Sequence, residues 1–154
     1  MMKLPGSKNC FVCGRENPLS LRMSFYVRED GSVESRLQVS EQYEGYPGMV
    51  HGGVIAAMLD ETAGRAVTVE DQNQFYVTSE LKIRYKAPVP INQPLLVVGR
   101  KVRCRGKVCF GHGEVLDAAG TVLAEADGIF VNVTENQDID MNPDVDGWKV
   151  YPDE

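Results

Sequence analysis

The run from Gly45 to Val69 leaves this chain the least freedom in how it can fold. Tyr46-Pro47-Gly48 interrupts regular structure, His51-Gly52-Gly53 loosens the backbone, and Ile55 to Val67 is rich in helix formers, so a helix is expected to begin near Gly52. At about 100° per residue, Ile55, Ala56, Leu59, Ala63, Ala66 and Val67 share one face, which must be buried. Asp60 lies at the margin of that face, beside Ala56, Ala57 and Gly64. Glu61 projects from the opposite side toward Arg65, four residues on, where an exposed ion pair is expected.

A carboxylate among small apolar neighbours loses hydration, and an acid kept there is either hydrogen-bonded for structure or used in chemistry. The glycine pair has two readings as well. It can serve a tight turn, or it can present uncovered N–H groups at a helix start to a carbonyl oxygen that is gaining negative charge. Eight residues separate Gly52 from Asp60, about 12 Å at ~1.5 Å of rise each, too far for both to touch one reacting carbonyl. If both act, Asp60 must work with the glycine pair of a second subunit across a two-fold axis.

The segments HGGVIAAMLDETAG and VTSELKIRYKAPVP together resemble the hotdog-fold acyl-CoA thioesterases, in particular the branch of the phenylacetate-pathway thioesterases and the mammalian thioesterase superfamily members. The similarity runs from roughly residue 40 to residue 133. It implies an α+β hotdog fold, an antiparallel sheet wrapped around one long central helix. The implied activity is hydrolysis of a CoA thioester to free acid and CoA, with no cofactor and no metal. The family pattern HGG, six residues, acid falls on Asp60; Gly52 and Gly53 correspond to the oxyanion hole, and Thr78 orients Asp60 or the attacking water. His51, just before the turn, is expected to fix it by hydrogen bonding, with general-base duty as the alternative. Relatives carry Asn or Gln about six residues before the motif His, where this chain has Gly45, with Gln42 and Tyr43 upstream. Met49, Met58, Phe75 and Tyr76 are the expected lining for the acyl group.

The expected assembly is a homodimer with active sites at the subunit interface, a dimer of dimers being the larger form compatible with it. A second reading is an acyl-CoA sensor that binds without hydrolysis. Asp60 favours the enzyme, because a pure binder gains nothing from a desolvated acid. Hotdog hydratases and dehydratases carry an Asp and His pair on a differently spaced motif.

A net charge of −6 argues against a nucleic-acid surface. Positive charge is nevertheless concentrated between Lys82 and Lys107. Most of it is expected to form the solvated faces of strands, while Arg84, Lys86, Arg103 and Arg105 are candidates for holding CoA phosphates. No run of ~18 apolar residues suggests a membrane span, and MMKLPGSKNC lacks the apolar core of a signal peptide, so a cytoplasmic location is the default expectation.

Residues 1–20 read as an irregular lead-in, 21–133 as the single hotdog domain and 134–154 as an acidic arm that Trp148 and Tyr151 could pin down. Cys10 and Cys13 have the spacing of half a zinc site or a redox pair. With no second such pair among Cys104, Cys109, His51 and His112, packed thiols are the expected outcome. Alternation predicts a hairpin of 21–27 with 33–39, then strands over 75–86, 95–104, 108–116 and 122–133. In the first long strand, Val77, Leu81, Ile83 and Tyr85 are assigned to one face, and Thr78, Lys82, Arg84 and Lys86 to the other.

Overall fold

The computed structural model describes residues 1–136 and 145–154. Its one long helix, α1, spans Gly52–Val67 and lies against a sheet of seven strands: β1 Met2–Lys3, β2 Tyr26–Val27, β3 Val33–Leu37, β4 Tyr76–Tyr85, β5 Leu95–Arg105, β6 Val108–Leu116 and β7 Val122–Asn132. The sheet order is β1-β2-β3-β5-β6-β7-β4, every pair antiparallel. This is the hotdog arrangement expected from the sequence. The three long hairpin-linked strands form the middle of the sheet, and β4, which follows the helix, closes its far edge.

Small residues under the helix let the sheet come close. A Cβ on Gly99 of β5 would fall 2.2 Å from the carbonyl oxygen of Thr62, so this close approach requires glycine. Its register partner, Gly113 on β6, would meet Leu59 at 3.3 Å. Leu59 and Ala63, both fully buried, occupy the space these glycines leave, and full burial of a residue such as Leu59 contributes roughly 2 kcal/mol.

Four sequence expectations change. The segment 21–27 pairs as a strand only at Tyr26–Val27, because Leu21 and Met23 donate their N–H groups to Phe11 and Val12 of the lead-in, and Arg22 adopts a positive φ of 55°. The lead-in is therefore built into the body, with Leu4, Val12 and Cys13 in the core. The Glu61–Arg65 pair is covered by lead-in and tail, with Arg65 only 5% exposed. Arg65 bonds the carbonyl of Pro5 at 2.6 Å and lies over the rings of Phe25 and Trp148. Finally, a bulge between Thr78 and Glu80 shifts the alternation of β4. Thr78 then joins Leu81 and Ile83 on the helix side, while Val77 is 45% exposed.

Where it is described, the tail lies against the lead-in and the helix. Lys149 bridges Gly6, Trp148 packs edge-on against Phe75 and over Arg65, and the Tyr151 hydroxyl donates to the Gly147 carbonyl. The rest of the predicted arm, 137–144, lies outside the described residues. Cys104 and Cys109 are register partners at the turn end of the β5–β6 hairpin and form a disulfide.

Candidate active site

Two of the clefts along α1 hold the residues expected to act. The first, of about 740 Å³, lies at its N-terminus and is lined by Met49, His51, Gly52, Ile55, Tyr85 and Lys86 among others. His51 is the N-cap: its φ of −59° and ψ of 136° hold it outside the helix, and its Nδ1 accepts the Gly53 N–H at 2.9 Å. An imidazole accepting at Nδ1 carries its proton on Nε2 when neutral. Of the two glycine N–H groups expected to serve an oxyanion, that of Gly53 is thus taken by His51, and that of Gly52 has no acceptor among the described residues. The Tyr85 hydroxyl donates to the Gly52 carbonyl at 2.8 Å, fixing the helix head to β4.

The second cleft, of about 180 Å³, lies along the flank and is lined by Asp60, Phe75, Tyr76, Thr78, Phe130 and Trp148 with their neighbours. Thr78 Oγ1 donates to Asp60 Oδ1 at 2.6 Å, a contact that the bulge of β4 makes possible. No cation pairs with Asp60 among the described residues. Burial pushes its carboxyl above the ordinary value of 3.8, the Thr78 hydrogen bond opposes that shift, and the charge of Glu61 adds to it. The neighbouring Glu61 differs, since the guanidinium of Arg65 sits 2.8 Å from it.

The structure thus divides the predicted site residues. His51, Gly52 and Met49 share the head cleft; Asp60, Thr78, Phe75 and Tyr76 share the flank cleft, about 12 Å away along the same helix. Met58 lines neither, being fully buried in the main core. The four candidate cations do not form one cluster, although Arg84 and Lys86 share Glu125. Lys86 reaches the head cleft and Glu125 at 3.5 Å. Arg84 is tied to Glu125 and Asp127, Arg103 lies over the ring of Phe110, and Arg105 is exposed at the hairpin end. Gly45 packs against His51, where an added Cβ would lie 3.2 Å from its Cα, so no amide side chain fits at that place without a shift. Tyr43 bonds the carbonyls of Leu19 and Ser20, and Gln42 is exposed.

Sequence reading did not single out Tyr85 or Trp148 as parts of a site. Tyr85 was legible in principle, because alternation places it on the same face as Ile83. Trp148 was not, since its place depends on the tail folding back over Arg65.

Fold and site together define a hotdog protein with a partly desolvated acid on its central helix. Residues 47–124, just over half of the chain, match the family model described as Thioesterase superfamily, and the chain belongs to that family. An uncharacterized protein of Schizosaccharomyces pombe is 33% identical over 122 residues, covering 76% of this chain and 70% of its own. The acyl-coenzyme A thioesterase THEM4 of Mus musculus is 28% identical over 110 residues, covering 71% of this chain and 46% of its own length; the chain spans about half of that relative. Among solved structures, the thioesterase superfamily protein RHA08564 superposes with a TM-score of 0.75 at 32% identity, covering 80% of this chain and 63% of that one. The BH2602 protein of Bacillus halodurans, solved with CoA, gives a TM-score of 0.66 at 30% identity, covering 77% and 80%.

Proposed function

We propose that this chain hydrolyses acyl-CoA thioesters to the free acid and CoA, as a dimer, with the reacting groups on residues 21–133 and Trp148 of the tail lining the cleft beside Asp60. The observation that carries this reading is Asp60, a partly buried carboxylate with a hydrogen-bond donor in Thr78, no compensating cation among the described residues, and a cleft in front of it. A protein that only bound acyl-CoA would have no use for it. The CoA held by the Bacillus halodurans relative supports the substrate class.

In the proposed reaction, the Gly52 N–H of one subunit polarises the thioester carbonyl, and Asp60 of the other supplies the charge that starts the attack. As a base, Asp60 takes a proton from water, the water oxygen bonds to the carbonyl carbon, and the collapsing intermediate expels the CoA thiolate, which recovers that proton. As a nucleophile, Asp60 bonds to the carbon itself and releases CoA, and water then hydrolyses the mixed anhydride. Both routes need Asp60 ionised.

Steady release of free thiol from aryl, short-chain and long-chain CoA thioesters tests the reading. Turnover of at least one class is expected. Tight binding of a CoA thioester with no thiol released from any class would make the protein a sensor instead.

A further inference from the structure

We propose that Cys10 and Cys13 form a thiol–disulfide exchange site for low-molecular-weight disulfides, in which Cys10 is the attacking sulfur and Cys13 the resolving one. The pair sits in a built turn. The Gly14 N–H donates to the Cys10 carbonyl at 2.8 Å, and a Cβ on Gly14 would fall 2.3 Å from that oxygen, so the turn requires glycine after the second cysteine. Inside it the Cys10 Sγ accepts the N–H groups of Val12 at 3.2 Å and Cys13 at 3.3 Å, which favours a thiolate there.

The two sulfurs differ in access and environment. Cys10 is partly exposed, whereas Cys13 is 1% exposed, and the two sulfurs and a Glu61 carboxylate oxygen all lie within 4.8 Å of one another. Hydrogen bonding from Cys13, ahead of burial and the charge of Glu61, which oppose it, brings the Cys10 thiol down to about 6. The same shared proton and burial push the Cys13 thiol far up. The buried guanidinium of Arg65 donates to the Cys13 Sγ at 3.2 Å and is paired with Glu61. A zinc ion at these groups would have three protein ligands and a fixed cation beside it, a poor match to a closed site of four.

The exchange balances. The Cys10 thiolate attacks one sulfur of RSSR, the S–S bond breaks, and the released RS⁻ takes a proton from water. Cys13 gives its proton to Glu61 and attacks the Cys10 sulfur, and the second RS⁻ leaves and takes up that proton. The protein dithiol is oxidised to a disulfide and RSSR is reduced to two RSH.

Equilibrating the full chain in glutathione buffers of graded poise, then quenching with acid and mapping peptides by mass spectrometry, tests this. A Cys10–Cys13 disulfide is expected to form with one midpoint and to change the emission of Trp148, which lies 4.6 Å from Arg65. Cys13→Ser should accumulate glutathione on Cys10. Untouched wild-type protein offers a check that needs no variant: iodoacetamide should label Cys10 at least about tenfold faster than Cys13. Retention of both thiols across the whole range, glutathione on Cys13 rather than Cys10, equal labelling rates, or stoichiometric zinc that protects both thiols would each overturn the proposal.

Discussion

The cleft at the head of α1 and the cleft along its flank are built from opposite materials. At the head, a wide space of about 740 Å³ is bounded mainly by apolar side chains and by Gly52, with Glu44 and Lys86 also lining it and His51 holding the turn. On the flank, a space of about 180 Å³ sets the carboxylate of Asp60, together with the Glu61–Arg65 ion pair, beside aromatic rings. In the proposed reaction, one half offers a hydrogen-bond donor to a developing negative charge, and the other offers a base or nucleophile. Within one chain they are separated by about 12 Å of helix, which is why the proposed reaction draws on two subunits.

The sharpest way to break this contrast is to remove the charge on the flank. Asp60→Asn is expected to lower kcat by a hundredfold or more, roughly the lower bound for a positioned acid–base group, with substrate binding retained. The same change should stabilise the protein as pH rises. The Asp60 carboxyl is raised in the folded state, so its contribution to stability is full below about 3.8 and is lost as pH climbs through the folded value. The melting temperature of the Asn variant should therefore pull ahead of wild type over that window. Glu61→Gln should do the reverse, sparing kcat while costing about 3 kcal/mol of stability, because it leaves the Arg65 guanidinium buried without its carboxylate. Kinetics and thermal melts on both variants check the pair, and an inactive Glu61→Gln beside an active Asp60→Asn would move the chemistry to the wrong acid.

A smaller effect is expected from the donor that orients Asp60. Thr78→Ala removes a hydrogen bond to a charged group, worth about 1.5–3 kcal/mol, or roughly 10- to 100-fold in rate. Because that bond holds the Asp60 carboxyl down, its loss should move the acid limb of kcat/KM to higher pH. Thr78→Ser should restore both. A full-rate alanine variant with an unmoved acid limb would separate Thr78 from the site.

The smallest expected effect lies at the head. Lys86→Ala should raise KM for a CoA thioester by up to about fivefold, the scale of an exposed ion pair, and leave a pantetheine thioester unaffected. Equal losses on both substrates would assign Lys86 to its partner Glu125 rather than to phosphate.

The helix, the burial of Ile55, Leu59, Ala63, Ala66 and Val67 and the odd position of Asp60 were legible because they depend on spacing within one element, whereas Ala56 is only half-buried and Met58 and Thr62 are buried in its stead. The long strands were legible for the same reason, through alternation. Alternation puts Thr78 on the wrong face, because a bulge is a pairing irregularity between β4 and β7 and leaves no mark in the alternation itself. The exposure expected for Arg65 failed for a longer-range reason. Its cover comes from Pro5, Phe25 and Trp148, brought together only by the tail returning to the lead-in. The division of labour between the glycines was equally out of reach, since it depends on the rotamer of His51.

The two-chain site can be tested by mixing. One inactive protein carries Asp60→Asn, the other Gly52→Pro, which deletes the N–H that has no acceptor among the described residues. Proline is suited to this first helical position: His51 before it is already extended, and the atoms nearest an added Cβ at Gly52 are the ring and hydroxyl of Tyr85 at 3.6 Å, ordinary contact. Each variant is first shown to fold and to exchange subunits. A heterodimer then gathers both lesions into one site and leaves the other with an intact Gly52 from one chain and an intact Asp60 from the other. Recovery to about half of the wild-type rate per heterodimer is the predicted result, for two sites acting independently. Folded, mixing variants that stay inactive would contradict a site shared between two chains.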